Sequence, residues 1–261
     1  MNIVEIEKEI KGCILSAVNK SDGLSVFDRL CDVFKNHFEK PAHNITEIKK
    51  RTAKSKGDIF EVFCMMYLRS KEYDVWHLTQ VPDEVLKFLG MQRFDVGIDL
   101  IARIKIPNRE CVSNNDYFYF PVQVKYRKPT KDRQGRTVHR VGWKDISTFL
   151  SLCMRTGPPG NETTKKGWLK HVVMTNADNV CWRGKKTKQD WTIAKKSFEK
   201  CNNFFWLGMV GHKPKVTIEE DVPSQQVLSK TPEVSQKTQG LSQRELRAKW
   251  IDNLKVKKDP V

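Results

Sequence analysis

Phe120-Pro121-Val122-Gln123-Val124-Lys125-Tyr126 (residues 120–126) is the stretch from which the fold is read. Aromatic and β-branched residues dominate it, which favours a buried strand. Side chains alternate along a strand, so Gln123 and Lys125 share one face while Val122, Val124 and Tyr126 share the other. An amide and an ammonium two positions apart are poor core filler and require an anionic neighbour. The nearest upstream candidate is the apolar run from Arg93 to Arg103, read as a second strand with Asp99 set into it. If the two strands pair, Asp99, Gln123 and Lys125 converge at one end of a sheet. Acid, oxygen ligand and lysine together make a metal-and-phosphate site.

Gly57-x-x-Phe60-Glu61, then Gly97-Ile98-Asp99, then Gln123-Val124-Lys125 resembles the PD-(D/E)xK nuclease superfamily. The nearest branch is the Mrr-type restriction endonucleases, which are related to Holliday-junction resolvases. That branch carries Gln in the (D/E/Q)xK position, so Gln123 departs only from the wider pattern. The match runs over about residues 55 to 210, in order and element type. It implies an α/β fold with a restriction-endonuclease-like core, a central mixed β-sheet flanked by helices, to which residues 1–50 add an N-terminal helical appendage. It also implies a metal-dependent DNA endonuclease that hydrolyses phosphodiester bonds with Mg²⁺, for which Mn²⁺ is a substitute. On the resemblance, Asp99 is the central metal ligand, joined by the side-chain oxygen of Gln123 and the backbone carbonyl of Val124. Glu61 binds water on the metal or a second ion, and Lys125 orients the attacking water. Asp95, four residues upstream of Asp99, is the rival acid.

Charge agrees with a polyanionic partner. The chain carries 47 Lys and Arg against 31 Asp and Glu, a net +16. Residues 1–50 are balanced and residues 213–261 hold +3, so the middle carries +13. Such a balance favours nucleic acid through counterion release and steering, although a merely solvated basic surface is the plain alternative. Position favours the former. Arg127, Lys128, Lys131, Arg133, Arg136, Arg140 and Lys144 follow directly after Lys125, with Asp132 as the one acid among them. These seven are the expected nucleic-acid contacts.

The seven cysteines are scattered singly with no C-x-x-C pair, which argues for reduced intracellular thiols and against a zinc module. No apolar run reaches the roughly 18 residues of a membrane span, and no signal-peptide pattern opens the chain. The expected place is therefore inside the cell at DNA, in cytoplasm or nucleus, with no membrane partner.

Along the chain, Ile3, Ile6, Ile10, Ile14 and Val18 fall at helical spacing, and a second helix from Ser25 buries Phe27, Leu30, Phe34 and Phe38 before Pro41. A basic lead-in with Lys49, Lys50, Arg51, Lys54 and Lys56 precedes an S-x-x-D helix start at Ser55 and Asp58. The helix that follows buries Phe60, Phe63, Cys64, Tyr67 and Leu68, and Glu61 lies beside that stripe. Tyr73–Leu78 reads as a strand, Pro82–Leu89 as a short helix, Trp143–Met154 as a helix and His171–Thr175 as a strand. A second basic segment has Arg183, Lys185, Lys186 and Lys188; Arg183-Gly-Lys-Lys-Thr187 lacks the spacing of a P-loop. Gln189–Lys200 reads as a helix and Phe204–Leu207 as a last strand. The nuclease domain is thus set at 51–212. Residues 213–261 read as a linker without periodicity and a short amphipathic helix holding Leu246, Trp250, Ile251 and Leu254.

Two readings compete with the nuclease. One is a catalytically inactive nucleic-acid-binding module of the same fold, the front part of a helicase–nuclease machine. The other is a structural tether acting through the terminal helix. The further partners expected are a second copy of the chain, as a homodimer, and a helicase or other DNA-processing protein.

Overall fold

The computed structural model describes residues 3–39, 53–94, 97–107, 110, 112–160, 167–182 and 186–211. Asp95, Pro41, Lys49, Lys50, Arg51, Arg183, Lys185, the expected linker and the expected terminal helix lie outside them. The fold is α/β, with a central mixed sheet of five strands flanked by helices. Among the described residues no helix is long and apolar enough to cross a membrane, and all six described cysteines are free thiols.

The sheet is built around the opening stretch. Strand β1 (Asp74–His77) pairs antiparallel with β2 (Leu100–Lys105), and β2 pairs antiparallel with β3 (Tyr117–Lys125). Three further two-residue strands, β4 (Thr130–Lys131), β5 (Thr137–Val138) and β6 (Arg140–Val141), follow β3. The next long strand, β7 (His171–Thr175), lies parallel to β3 with Lys125 opposite Thr175. After β8 (Asn179–Val180), strand β9 (Asp190–Ile193) completes the far edge, parallel to β7.

Alternation then divides the core into two layers. Leu100, Ala102, Phe120, Val122, Val124, Val172 and Met174 face one layer. It is closed by α1 (Ile3–Val18), α2 (Val26–Glu39), α3 (Ala53–Arg69), α6 (Lys195–Glu199) and α7 (Asn203–Met209). Ile101, Tyr119 and Val173 face the other, under α4 (Asp83–Leu89) and α5 (Trp143–Cys153). An aromatic cluster fills the first layer. Phe27 stacks on Phe198 at 4.5 Å, Phe60 stacks on Phe63 at 5.6 Å, and Trp206 stacks on Phe63 at 6.2 Å. The two N-terminal helices therefore share one core with the sheet. Lys195 to Asp28 at 2.7 Å and Arg69 to Glu7 at 2.9 Å add polar ties.

Four sequence expectations change. The strand set to begin at Arg93 begins at Leu100, because Gly97 turns the chain at φ 116°. Ser55 does not start its helix, since α3 already runs from Ala53. Residues 190–193 are strand rather than helix: Trp191, Thr192 and Ile193 suit a pleated surface, and β7 offers them a ladder. Phe204–Leu207 is helix rather than strand. Asn202 caps it by accepting from Phe205 N–H at 2.9 Å, and Trp206 and Met209, three apart, go into the core.

Candidate functional site

The ends of β1, β2 and β3 bring the expected polar residues to one place. Leu100 stands opposite Val122, which sets Asp99 beside Gln123. Asp99 is held through its backbone on both sides: its N–H donates to Val122 O at 2.9 Å, and its carbonyl accepts from Leu78 N–H at 3.0 Å. Its side chain is fixed as tightly. Oδ2 accepts from Val124 N–H at 2.6 Å and from the Gln123 side-chain amide. Gln123 is 2% exposed, and turning its NH₂ toward a carboxylate is the only orientation that avoids facing oxygen to oxygen.

Gly97 sets the approach to Asp99. A Cβ there would lie 3.0 Å from Phe149 N and 3.1 Å from Phe149 Cα, so the chain before Asp99 is pressed against the backbone of α5. Positive φ and close approach both require glycine.

Glu61 reaches the site from α3. Its Oε2 lies 3.1 Å from His77 Nε2, and His77 Nδ1 accepts from Thr79 N–H at 3.4 Å. With Nδ1 as acceptor, the neutral ring carries its proton on Nε2, facing the carboxylate. The bond to Glu61 raises the His77 pKa, against the opposing effect of burial. Asp99 is pushed up to about 6, first by burial and then by the charge of Glu61; Val124 N–H, Lys125 and Gln123 pull the other way. Burial, with the charges of Glu61 and Asp99, also pushes the Cys64 thiol well up.

Lys125 lies on the same face of β3 as Gln123, and its charge acts on both Asp99 and Asp145. Among the described residues its ammonium has no hydrogen-bond or ion-pair partner. Its carbonyl is tied down by the buried Thr175 hydroxyl, which donates at 2.6 Å. The structure thus brings Asp99, Gln123, Val124 and Lys125 together and places Glu61 within electrostatic reach. The oxygens that could hold a cation are the two carboxylates, the Gln123 amide and main-chain carbonyls. Among the described residues no three His, Cys, Asp or Glu side chains gather as a metal cluster by themselves.

The seven expected nucleic-acid contacts divide. Arg127 donates to Asp145 at 2.6 Å and Arg136 to Asp132 at 2.8 Å, so these two are engaged within the protein. Burial opposes it, but the Arg127 guanidinium and Gly142 N–H hold the Asp145 carboxyl below its ordinary value. Lys128, Lys131, Arg133, Arg140 and Lys144 are exposed.

Four residues escaped the sequence reading: His77, Thr175, Asn176 and Asp145. Asn176 clamps the chain after Lys125, accepting from Arg127 N–H at 2.7 Å and donating to Arg127 O at 2.9 Å. Thr175-Asn176 had a signal, since a polar pair closes an apolar strand that ends beside Lys125. His77 had only its place at a strand end.

No protein-family model, curated protein or solved structure matches the chain.

Proposed function

We propose that the chain is a Mg²⁺-dependent DNA endonuclease of the PD-(D/E)xK kind, cutting phosphodiester bonds at Asp99, Gln123 and Lys125. The observation that carries this reading is the fixing of Asp99 Oδ2 by Val124 N–H and the Gln123 amide, beside a Lys125 ammonium without a partner among the described residues. So much organisation around one half-buried carboxylate is costly to stability, and sites of chemistry are where such cost is found.

The residues fit a hard cation. Asp99 is under-neutralised, held near 6 by burial and by Glu61, and the donors nearby are oxygens. Asp99, the Gln123 amide oxygen and the Val124 carbonyl would hold Mg²⁺, with Glu61 bound to it through water or to a second ion. When bound, the ion supplies charge neutralisation at the phosphate and an activated water. The rest falls to the protein. Val124 N–H and the Gln123 NH₂ stop the carboxylate from rotating. His77 holds Glu61 from behind. The Lys125 ammonium orients water and offsets the negative charge that builds on the phosphate, an effect strengthened where bulk water is excluded.

The test is nicking of supercoiled plasmid in Mg²⁺ and Mn²⁺. Lys125→Ala should lose nicking by about a hundredfold or more while duplex binding survives. Loss of binding together with nicking would instead mark Lys125 as a contact. If wild type binds DNA and nicks nothing with either ion, the inactive binding module is the correct reading. Gln123 adds a sharper measurement. Gln123→Leu should abolish nicking with the fold retained, and Gln123→Glu should retain it at lower Mg²⁺. Should the two variants behave alike in a Mg²⁺ titration, Gln123 is no ligand.

The exposed cations give a third expected result. Replacing Lys131, Arg133 and Arg136 with Ala should weaken duplex binding and lower the log–log salt slope by about 0.9 for each phosphate no longer neutralised. Arg136, already paired with Asp132, should account for the smallest share. An unchanged slope would mean that none of the three neutralises a phosphate.

A further inference from the structure

Directly after Lys125 the chain forms a small two-stranded antiparallel ribbon that stands on the surface. Thr130 pairs with Val138 and Lys131 with Thr137, and the turn between them is Asp132-Arg133-Gln134-Gly135-Arg136. The turn is closed from inside. Asp132 Oδ1 accepts from Gln134 N–H and Arg136 N–H, both at 2.9 Å, and Oδ2 accepts from Arg136 Nε. Gly135 takes positive φ at 76°. At the tip, Arg133 and Gln134 are exposed, and among the described residues their side chains have no hydrogen-bond partner.

A ribbon of two ladder pairs is marginal by itself, yet this one is rooted on both sides. Asn176 holds Arg127 through N–H and carbonyl, and His139 Nε2 meets the Arg127 carbonyl at 2.9 Å. On the return side, β6 pairs parallel with β8, Arg140 opposite Asn179 and Val141 opposite Val180. The root is therefore fixed just past the end of β3, the strand that carries Gln123 and Lys125.

We infer that this ribbon seats in the major groove of duplex DNA beside the cut phosphate, with Arg133 and Gln134 at the base edges. The inference rests on the nuclease reading for the position of the cut. Dimensions, chemistry and reach each support it. Strands about 4.8 Å apart, with side chains, match a groove about 12 Å wide and not a minor groove of about 6 Å. The deep, narrow major groove of A-form RNA does not admit such an element, which favours DNA. Arg and Gln are also the side chains whose paired polar atoms match guanine and adenine edges. Finally, eight residues separate Lys125 from Arg133, at most about 29 Å of extended chain, and the two long side chains add to that reach, so the bases contacted lie within roughly a dozen base pairs of the cut.

The test measures metal-free binding of the full chain to three probes. One is a plain 40-base-pair duplex, one is the same duplex with its cytosines carrying 5-(glucosyloxymethyl) groups that fill the major groove, and one is an A·T-rich duplex saturated with netropsin to fill the minor groove. Wild type should bind the glucosylated duplex about tenfold more weakly than the plain one and be indifferent to netropsin. The Arg133→Ala/Gln134→Ala variant should lose that discrimination and bind the plain and glucosylated duplexes alike. Its substitutions are exposed, so an unchanged melting temperature confirms the fold. Equal wild-type affinity for the plain and glucosylated duplexes, or competition by netropsin, overturns the inference. Nicking is scored separately on the same preparations. Discrimination without Mg²⁺-dependent nicking removes the catalytic reading and leaves the groove; nicking without discrimination removes the groove alone.

Discussion

Asp99→Asn is expected to yield a protein that no longer nicks DNA yet unfolds at higher temperature than wild type in metal-free buffer at pH 7. The Asp99 carboxyl is raised from 3.8 to about 6, so the folded state holds its proton more tightly than the unfolded state. Wild-type stability therefore falls as pH rises between about 4 and 6, and the cost is complete above 6. Asparagine escapes that cost, because its amide oxygen still accepts from Val124 N–H and Gln123 while carrying no charge. At about 1.4 kcal/mol per pH unit the gain is up to about 3 kcal/mol at pH 7, vanishing below pH 4. The measurement is a pair of melting curves at pH 3.5 and pH 7, each with and without 10 mM EDTA as the metal-free control. A variant that melts lower than wild type at pH 7 would show that the charge is satisfied by the protein alone. On the proposed function, the same group would set its pH response. Cation binding to Asp99 should weaken about tenfold for each pH unit below about 6, as protons compete for the carboxylate.

Gly97→Ala is expected to cost the fold heavily despite adding one methyl group. Left-handed backbone at φ 116° is strained for alanine, and the new Cβ would press on backbone atoms of Phe149 and Thr148 at 3.0 to 3.3 Å. Main chain within a helix cannot rotate away as a side chain can. Strain of this kind costs about 1–3 kcal/mol, and the close approach adds to it. What yields is the segment before Asp99, so nicking should fall further than stability alone explains. Chemical denaturation beside a nicking assay below the melting transition would separate the two. If Gly97→Ala melts and nicks as wild type does, the close approach to α5 is not a constraint.

What the sequence disclosed and what it withheld follow one physical division. Long periodic segments were legible: the helices over Ile3–Val18 and Val26–Glu39, the strand over Tyr117–Lys125 and the helix over Trp143–Cys153 each carry their own pattern. The convergence of Asp99 and Gln123 was legible too, because a carboxylate and an amide set into apolar strands each need a partner. The last two elements were misread because their state is decided elsewhere. Asp190–Ile193 becomes strand when β7 presents its free edge, and Asn203–Met209 becomes helix through one asparagine cap and a core position for Trp206. His77 escaped for the same reason. Its meaning lies in Glu61, sixteen residues earlier, and no local spacing connects a residue at the end of a strand to one on a helix.

The sharing of one core by the first two helices and the sheet bears on how this protein can be re-used as a tool. The back of the helix that bears Glu61 is packed against side chains contributed by residues 6 to 34, Ile10, Phe27 and Phe34 among them. A fusion that begins at the lysine-rich approach to that helix would display Phe60, Phe63 and neighbouring rings to water. Such a fragment would invite self-association and chaperone capture, whatever targeting module preceded it. The portable unit begins at the first helix, and a grafted partner belongs ahead of it.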